Sequence, residues 1–186
     1  MTAGCVSDWL RNRTPSSMPA IITICQHLLC YFFAVPVSYP IDIAFAISAT
    51  GRQASELYTY MTDVIKLIID RYGMYYIHYA FMVFGNQPDV RVTFANEINT
   101  PDELKGFLDD AIRVGGQPDL QKALDKATEL FEPDYAGERP GVKKFLVVIV
   151  DRNIVGDERF VMRYSNVLVN SGVKVRMSSS ACNDRE

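Results

Sequence analysis

The chain has 186 residues, of which 48% are hydrophobic and 22% charged, and its formal net charge is −3. Those proportions suit one globular domain with an extension. A mildly acidic chain with no basic stripe excludes a nucleic-acid binder that works by neutralising phosphates.

The first element met along the chain is PAIITICQHLLCYFFAV (19–35), its most apolar stretch, with Arg11 and Arg13 upstream and PVSYP downstream. A positive region, an apolar core and a break form the layout of a secretory signal. Residues 1–38 are therefore expected to be cleaved, leaving a secreted, extracellular chain without a membrane attachment. Two alternatives stand beside this. One is a chain anchored through 19–37, since 19–40 is barely long enough to span a bilayer; the other is a buried core segment. Gln26, His27 and Pro36 count against a stable span.

Three of the four cysteines, Cys5, Cys25 and Cys30, fall in that leading region. Cleavage leaves Cys182, whose expected reading is an incidental thiol of the tail, with pairing to another chain as the alternative. His78 is the one histidine beyond the leader, so it cannot build a histidine metal cluster, and its place within an expected strand argues against a Ser-His-Asp set.

From residue 39 onward the pattern alternates between strand and helix. IDIAFAI (41–47) is a short apolar run, as expected of a strand buried on both faces. Leu57, Tyr60, Met61, Val64, Leu67, Ile68 and Tyr72 recur at helical spacing, and Gly73 closes that helix. YYIHYAFMVFG (75–85) and VRVTFA (90–95) read as two strands joined by a turn.

The next helix opens with Thr100 as N-cap and Pro101 in its first turn, and Leu104, Phe107, Leu108 and Ala111 mark its apolar stripe. After GGQPD (115–119) a further helix carries Leu120, Ala123, Leu124, Ala127 and Phe131, with Asp119 placed to cap it. KKFLVVIVD (143–151) is the strongest buried strand. A last helix carries Phe160, Val161, Tyr164, Val167 and Leu168 and ends at Gly172, before a strand at 173–177.

This order implies an α/β fold: a doubly wound, mostly parallel central sheet with helices on both faces. The strands at 41–47 and 143–150 should be central and adjacent. Their carboxyl ends, Ser48–Arg52 and Asp151, then meet at the switch point where open α/β sheets bind ligands. SATGRQAS carries a single glycine, too few for a phosphate-binding turn, and Ser48 lacks the frame of a nucleophile elbow.

From Ile41 to Met177 the sequence resembles the von Willebrand factor type A family, which includes integrin inserted domains. The resemblance rests on IDIAFAI, GGQPDLQKALDKATELF, GERPGVKKFLVVIVD and NSGVKV, in that order and spacing. It implies a non-enzymatic adhesion module, with extracellular matrix or cell-surface proteins as partners. Many such domains hold Mg²⁺ or Mn²⁺ in a metal-ion-dependent adhesion site. That site uses Asp-x-Ser-x-Ser after the first strand, a Thr after Gly-Gly, and an Asp ending the central strand.

Here Ser48 stands for the Asp, Arg52 for the last Ser and Gln117 for the Thr, while Thr50 and Asp151 keep the pattern. A missing carboxylate and an added guanidinium both disfavour a cation. The expectation is a degenerate site and no cofactor, with Arg52 pairing with Asp151. The alternatives are a Mg²⁺- or Mn²⁺-dependent module using Thr50, Asp151 and Asp119, and a small α/β enzyme working in the crevice. The resemblance also places the domain at 39–177, with 178–186 as a polar tail. It implies a sheet without its last strand and helices, so that the 173–177 strand is an open edge.

Overall fold

The computed structural model describes residues 39–48, 54–110, 116–132, 137, 139–150, 163 and 166–179. Five strands form one sheet: β1 (Ile41–Ser48), β2 (Ile77–Phe84), β3 (Pro88–Val92), β4 (Lys143–Val150) and β5 (Val173–Ser179). Their order is β3-β2-β1-β4-β5, which puts β1 in the middle beside β4, as the two apolar runs imply. β1, β2, β4 and β5 are parallel and β3 is antiparallel to β2. Among the described residues the sheet is accompanied by α1 (Ala54–Tyr72), α2 (Pro101–Asp109) and α3 (Leu120–Leu130). A helical segment at 166–170 precedes β5.

Alternation along each strand divides the core in two. Ile43, Phe45 and Ile47 of β1 pack with Phe81 and Val147 against Met61, Ile65 and Ile68 of α1 and Leu104 and Leu108 of α2. The opposite face carries Ala44, Ala46, Ala80 and Leu146 against Leu120, Ala123, Leu124 and Ala127 of α3. Small side chains on both partners there let the helix and sheet lie close. Helices thus cover both faces, as the chain order requires.

The helix ends form where the local chemistry puts them. Thr100 caps α2 by accepting the N–H of Glu103 at 3.2 Å, with Pro101 at the first position. Asp119 caps α3 by accepting the N–H of Lys122 at 3.1 Å. Gly73 ends α1 at φ +61°, a conformation that a residue with a Cβ rarely takes.

Several boundaries differ from the sequence reading. β3 ends at Val92, because the side chain of Asn96 accepts both the N–H and the hydroxyl of Thr93, at 2.6 and 2.9 Å, and pulls the chain into a turn. Phe94 is buried there beside Phe131, ring centres 5.5 Å apart, instead of extending a strand. The buried stripe of α1 is Met61, Val64, Ile65, Ile68 and Ile69, so it includes two isoleucines that the expected stripe omits and leaves Leu67 half-buried. Phe107 and Val167 point outward, 37% and 46% exposed. β5 extends two residues past Met177, since Ser178 and Ser179 pair with Ile149 and Val150. Pairing with a buried neighbour outweighs the weak strand preference of serine.

Among the described residues β5 pairs only with β4. Residues 1–38, where a leader is expected, and Phe160, Val161, Tyr164 and Cys182 lie outside the described residues.

Candidate interaction face at the carboxyl end of the sheet

Parallel pairing brings the carboxyl ends of β1, β2 and β4 to one rim. Ser48 ends β1 opposite Phe84 of β2, and Ile47, just before it, lies opposite Ile149 of β4. Ser48 is 2% exposed, so its hydroxyl sits below the surface of the rim.

The second wall is the loop entering α3. The Asp119 N–H donates to the Gly85 carbonyl at 2.8 Å, which fixes the start of α3 to the end of β2. Lys122 Nζ reaches the Asn86 carbonyl at 3.1 Å. Gly116 has φ +93°, and a Cβ there would lie 2.8 Å from the Asn86 Cβ, so glycine is required both by conformation and by space. Gln117 is exposed beside it, while Pro118 is buried.

The structure therefore gathers Ser48, Gln117 and Asp119 at the end of the sheet where the sequence places a site. The carboxylate of Asp119 is already engaged. Oδ1 accepts the Lys122 N–H, and Oδ2 lies 3.3 Å from Lys122 Nζ. These described positions offer one hydroxyl, one carboxamide and one paired carboxylate, a poor donor set for a hard divalent cation. Thr50, Arg52 and Asp151, and with them the Arg52–Asp151 pairing, lie outside the described residues.

The amino end of the sheet holds a constellation that the sequence reading passed over. Asp42 is wholly buried in β1 and meets Arg139 three ways: Oδ2 accepts the backbone N–H at 2.9 Å, Oδ1 accepts Nε at 2.9 Å, and Nη2 lies 2.8 Å from Oδ1. Nη2 also donates to the carbonyls of Ile41 at 2.7 Å and Tyr76 at 3.1 Å. Nearby, Lys143 Nζ sits 4.0 Å from the centre of the Tyr39 ring. The signal was available: a carboxylate in a strand buried on both faces must find a cation.

His78 lies beside Asp42 in register, and burial, then the Arg139 charge, push its pKa down against the opposing pull of Asp42. The tyrosines divide by their place along the chain, since Tyr75 and Tyr76 precede β2 and Tyr79 lies inside it. Tyr79 is in the core with its hydroxyl on the Gly73 carbonyl at 3.1 Å, whereas Tyr75 is 84% exposed and contacts Tyr76 edge-on at 4.6 Å.

Among the described residues no helix is long and apolar enough to cross a membrane. Proximal thread matrix protein 1 from the mussel byssus, in a form with a zinc-occupied MIDAS motif, is similar in structure. The TM-score is 0.64 at 20% identity, over 76% of this chain and 36% of that one. This chain thus spans little more than a third of the mussel protein's length. An aerotolerance-related membrane protein from Bacteroides fragilis gives a TM-score of 0.58 at 18% identity, over 74% of this chain and 66% of that one. BatB from Bacteroides thetaiotaomicron, a conserved hypothetical protein, gives 0.55 at 18% identity over 74% and 65%. At these identities the likeness is one of fold. Residues 42–177 match the von Willebrand factor type A domain, and the chain belongs to that family, whose members commonly mediate adhesion or protein interaction.

Proposed function

We propose that this chain is a secreted, non-enzymatic binding module for extracellular matrix or cell-surface proteins, and that its contacts do not require a metal. The observation that carries this is the rim itself. β1 ends in a buried serine hydroxyl, and the carboxylate described nearby is held by Lys122. The resemblance adds Arg52 and Gln117 at positions where a metal-binding relative has oxygen ligands. Secretion is supported by the arginines, apolar core and Pro-containing break of the first 38 residues.

In the mussel protein the MIDAS motif is occupied by zinc. In this chain Ser48 and Arg52 stand where the family pattern has Asp and Ser, which lowers the attraction for a cation. Binding energy then has to come from shape and hydrogen bonding across the rim.

Retention of the full chain on decellularised matrix, washed in EDTA or in Mg²⁺, tests the reading. Equal retention in both washes is expected. Retention only with Mg²⁺ would establish the metal-dependent alternative through Thr50, Asp151 and Asp119, and no retention in either would remove the adhesion assignment.

A further inference from the structure

A cleft of about 480 Å³ opens where β3 leaves β2, at the end of the sheet opposite the rim. That volume is within the range of ligand pockets. Its floor is apolar, with Ile98 and Leu104, and its edge carries Tyr75, His78, Asn96 and Asn99. Among the described residues no Asp, Glu, Lys or Arg is in the lining. Burial, then the Arg139 charge, lower the His78 pKa against the opposing pull of Asp42, which favours the neutral imidazole. A charged ligand would lose its hydration here and gain no counter-charge.

The two carboxamides are oriented by their existing bonds. Asn96 Oδ1 is committed to the N–H and hydroxyl of Thr93, which leaves its Nδ2 as a donor. Asn99 Nδ2 donates to the Glu97 carbonyl at 3.4 Å, and among the described residues its Oδ1 remains as an acceptor. One donor and one acceptor beside Ile98 and Leu104 are the groups that a peptide unit followed by an apolar side chain would use. Tyr75, 84% exposed, adds a broad and rigid contact surface at the mouth.

We propose that this cleft docks an uncharged, extended peptide segment of a partner protein, with an apolar side chain seated against Ile98 and Leu104. This is a second contact surface, independent of the rim.

The test is amide chemical-shift mapping on the isotope-labelled full chain. Three probes are used at millimolar concentration: acetyl-Ala-Leu-Ala-amide, acetyl-Asp-Leu-Asp-amide and methyl glucoside. The neutral peptide is expected to move the signals of residues 74–79 and 93–99, and the acidic one to bind about tenfold more weakly, the scale of one unpaired polar group. Asn96→Asp keeps the oxygen that Thr93 needs but replaces the donor with charge. It should weaken the neutral peptide by a similar factor while leaving the spectrum folded. Asn99→Trp, at an exposed position, should block the cleft by bulk. No shift at these residues, equal binding of both peptides, or a response to the glucoside alone would overturn the proposal.

Discussion

The two ends of the sheet treat polar groups in opposite ways. At the amino end a fully buried carboxylate, Asp42, is matched by one arginine that also ties down two carbonyls. At the carboxyl end β1 finishes in a serine, and Asp119 spends its oxygens on the first turn of its own helix. At the amino end the buried charge is therefore neutralised within the chain, which suits a structural role. Among the described residues the carboxyl end holds a buried serine hydroxyl, the exposed Gln117 carboxamide and a carboxylate already paired with Lys122. A buried charge needs a counter-charge wherever it sits, and this chain supplies one from a loop and does not leave an ion to do so.

Removing the arginine gives the largest effect. Arg139→Met strands the Asp42 carboxylate and should cost about 3–5 kcal/mol, the usual result of breaking a buried pair from one side. The unfolding midpoint should fall by roughly 10 °C for a domain of this size. Adding Asp42→Asn to that variant should recover part of the loss, because the uncompensated charge is then gone. If Arg139→Met melted like the parent, the contrast between the ends would collapse.

Gly116→Ala comes next, at the opposite end. Its positive φ and the 2.8 Å approach to the Asn86 Cβ leave an added methyl no room. A loss above about 1 kcal/mol is expected, read by denaturant unfolding. Asp119→Ala should cost about 1 kcal/mol, the value of a helix N-cap, and Asp119→Asn much less. A far larger loss in either variant would mean that Asp119 does more than cap α3.

The smallest effect is a pH dependence at the amino end. The folded pKa of His78 is lowered, so the unfolded chain takes up the proton first as pH falls. Stability from this group is complete above the ordinary histidine pKa near 6.5 and declines as pH drops below it. His78→Gln should flatten the fall in midpoint between pH 7.5 and 5.5. An identical slope in the variant would assign the fall to other groups.

Much of this architecture was legible because the local signals agree with the fold. The apolar runs at 41–47 and 143–150 are neighbours at the centre, and Thr100, Pro101 and Asp119 start helices as their chemistry dictates. What escaped was set by distant partners. Arg139 lies 97 residues from Asp42, and no local pattern couples them. β3 stops early through one asparagine side chain, and β5 gains two serines because β4 is there to pair with them. The exposure of Phe107 depends on which side α2 turns to α1, fixed by Leu104, Leu108 and the bond from the Tyr58 hydroxyl to the Leu108 carbonyl at 3.0 Å. Of the expected site, Ser48, Gln117 and Asp119 share a rim as the strand order requires.

The most direct test of the rim as a metal-free surface is thermal unfolding of the full chain in EDTA and then in excess Mg²⁺ or Mn²⁺. An ion bound to the native state at about a hundred times its Kd adds roughly 2.7 kcal/mol, a shift of several degrees. The account predicts the same midpoint in all three conditions. A reproducible rise with metal that disappears in Asp151→Ala would contradict it.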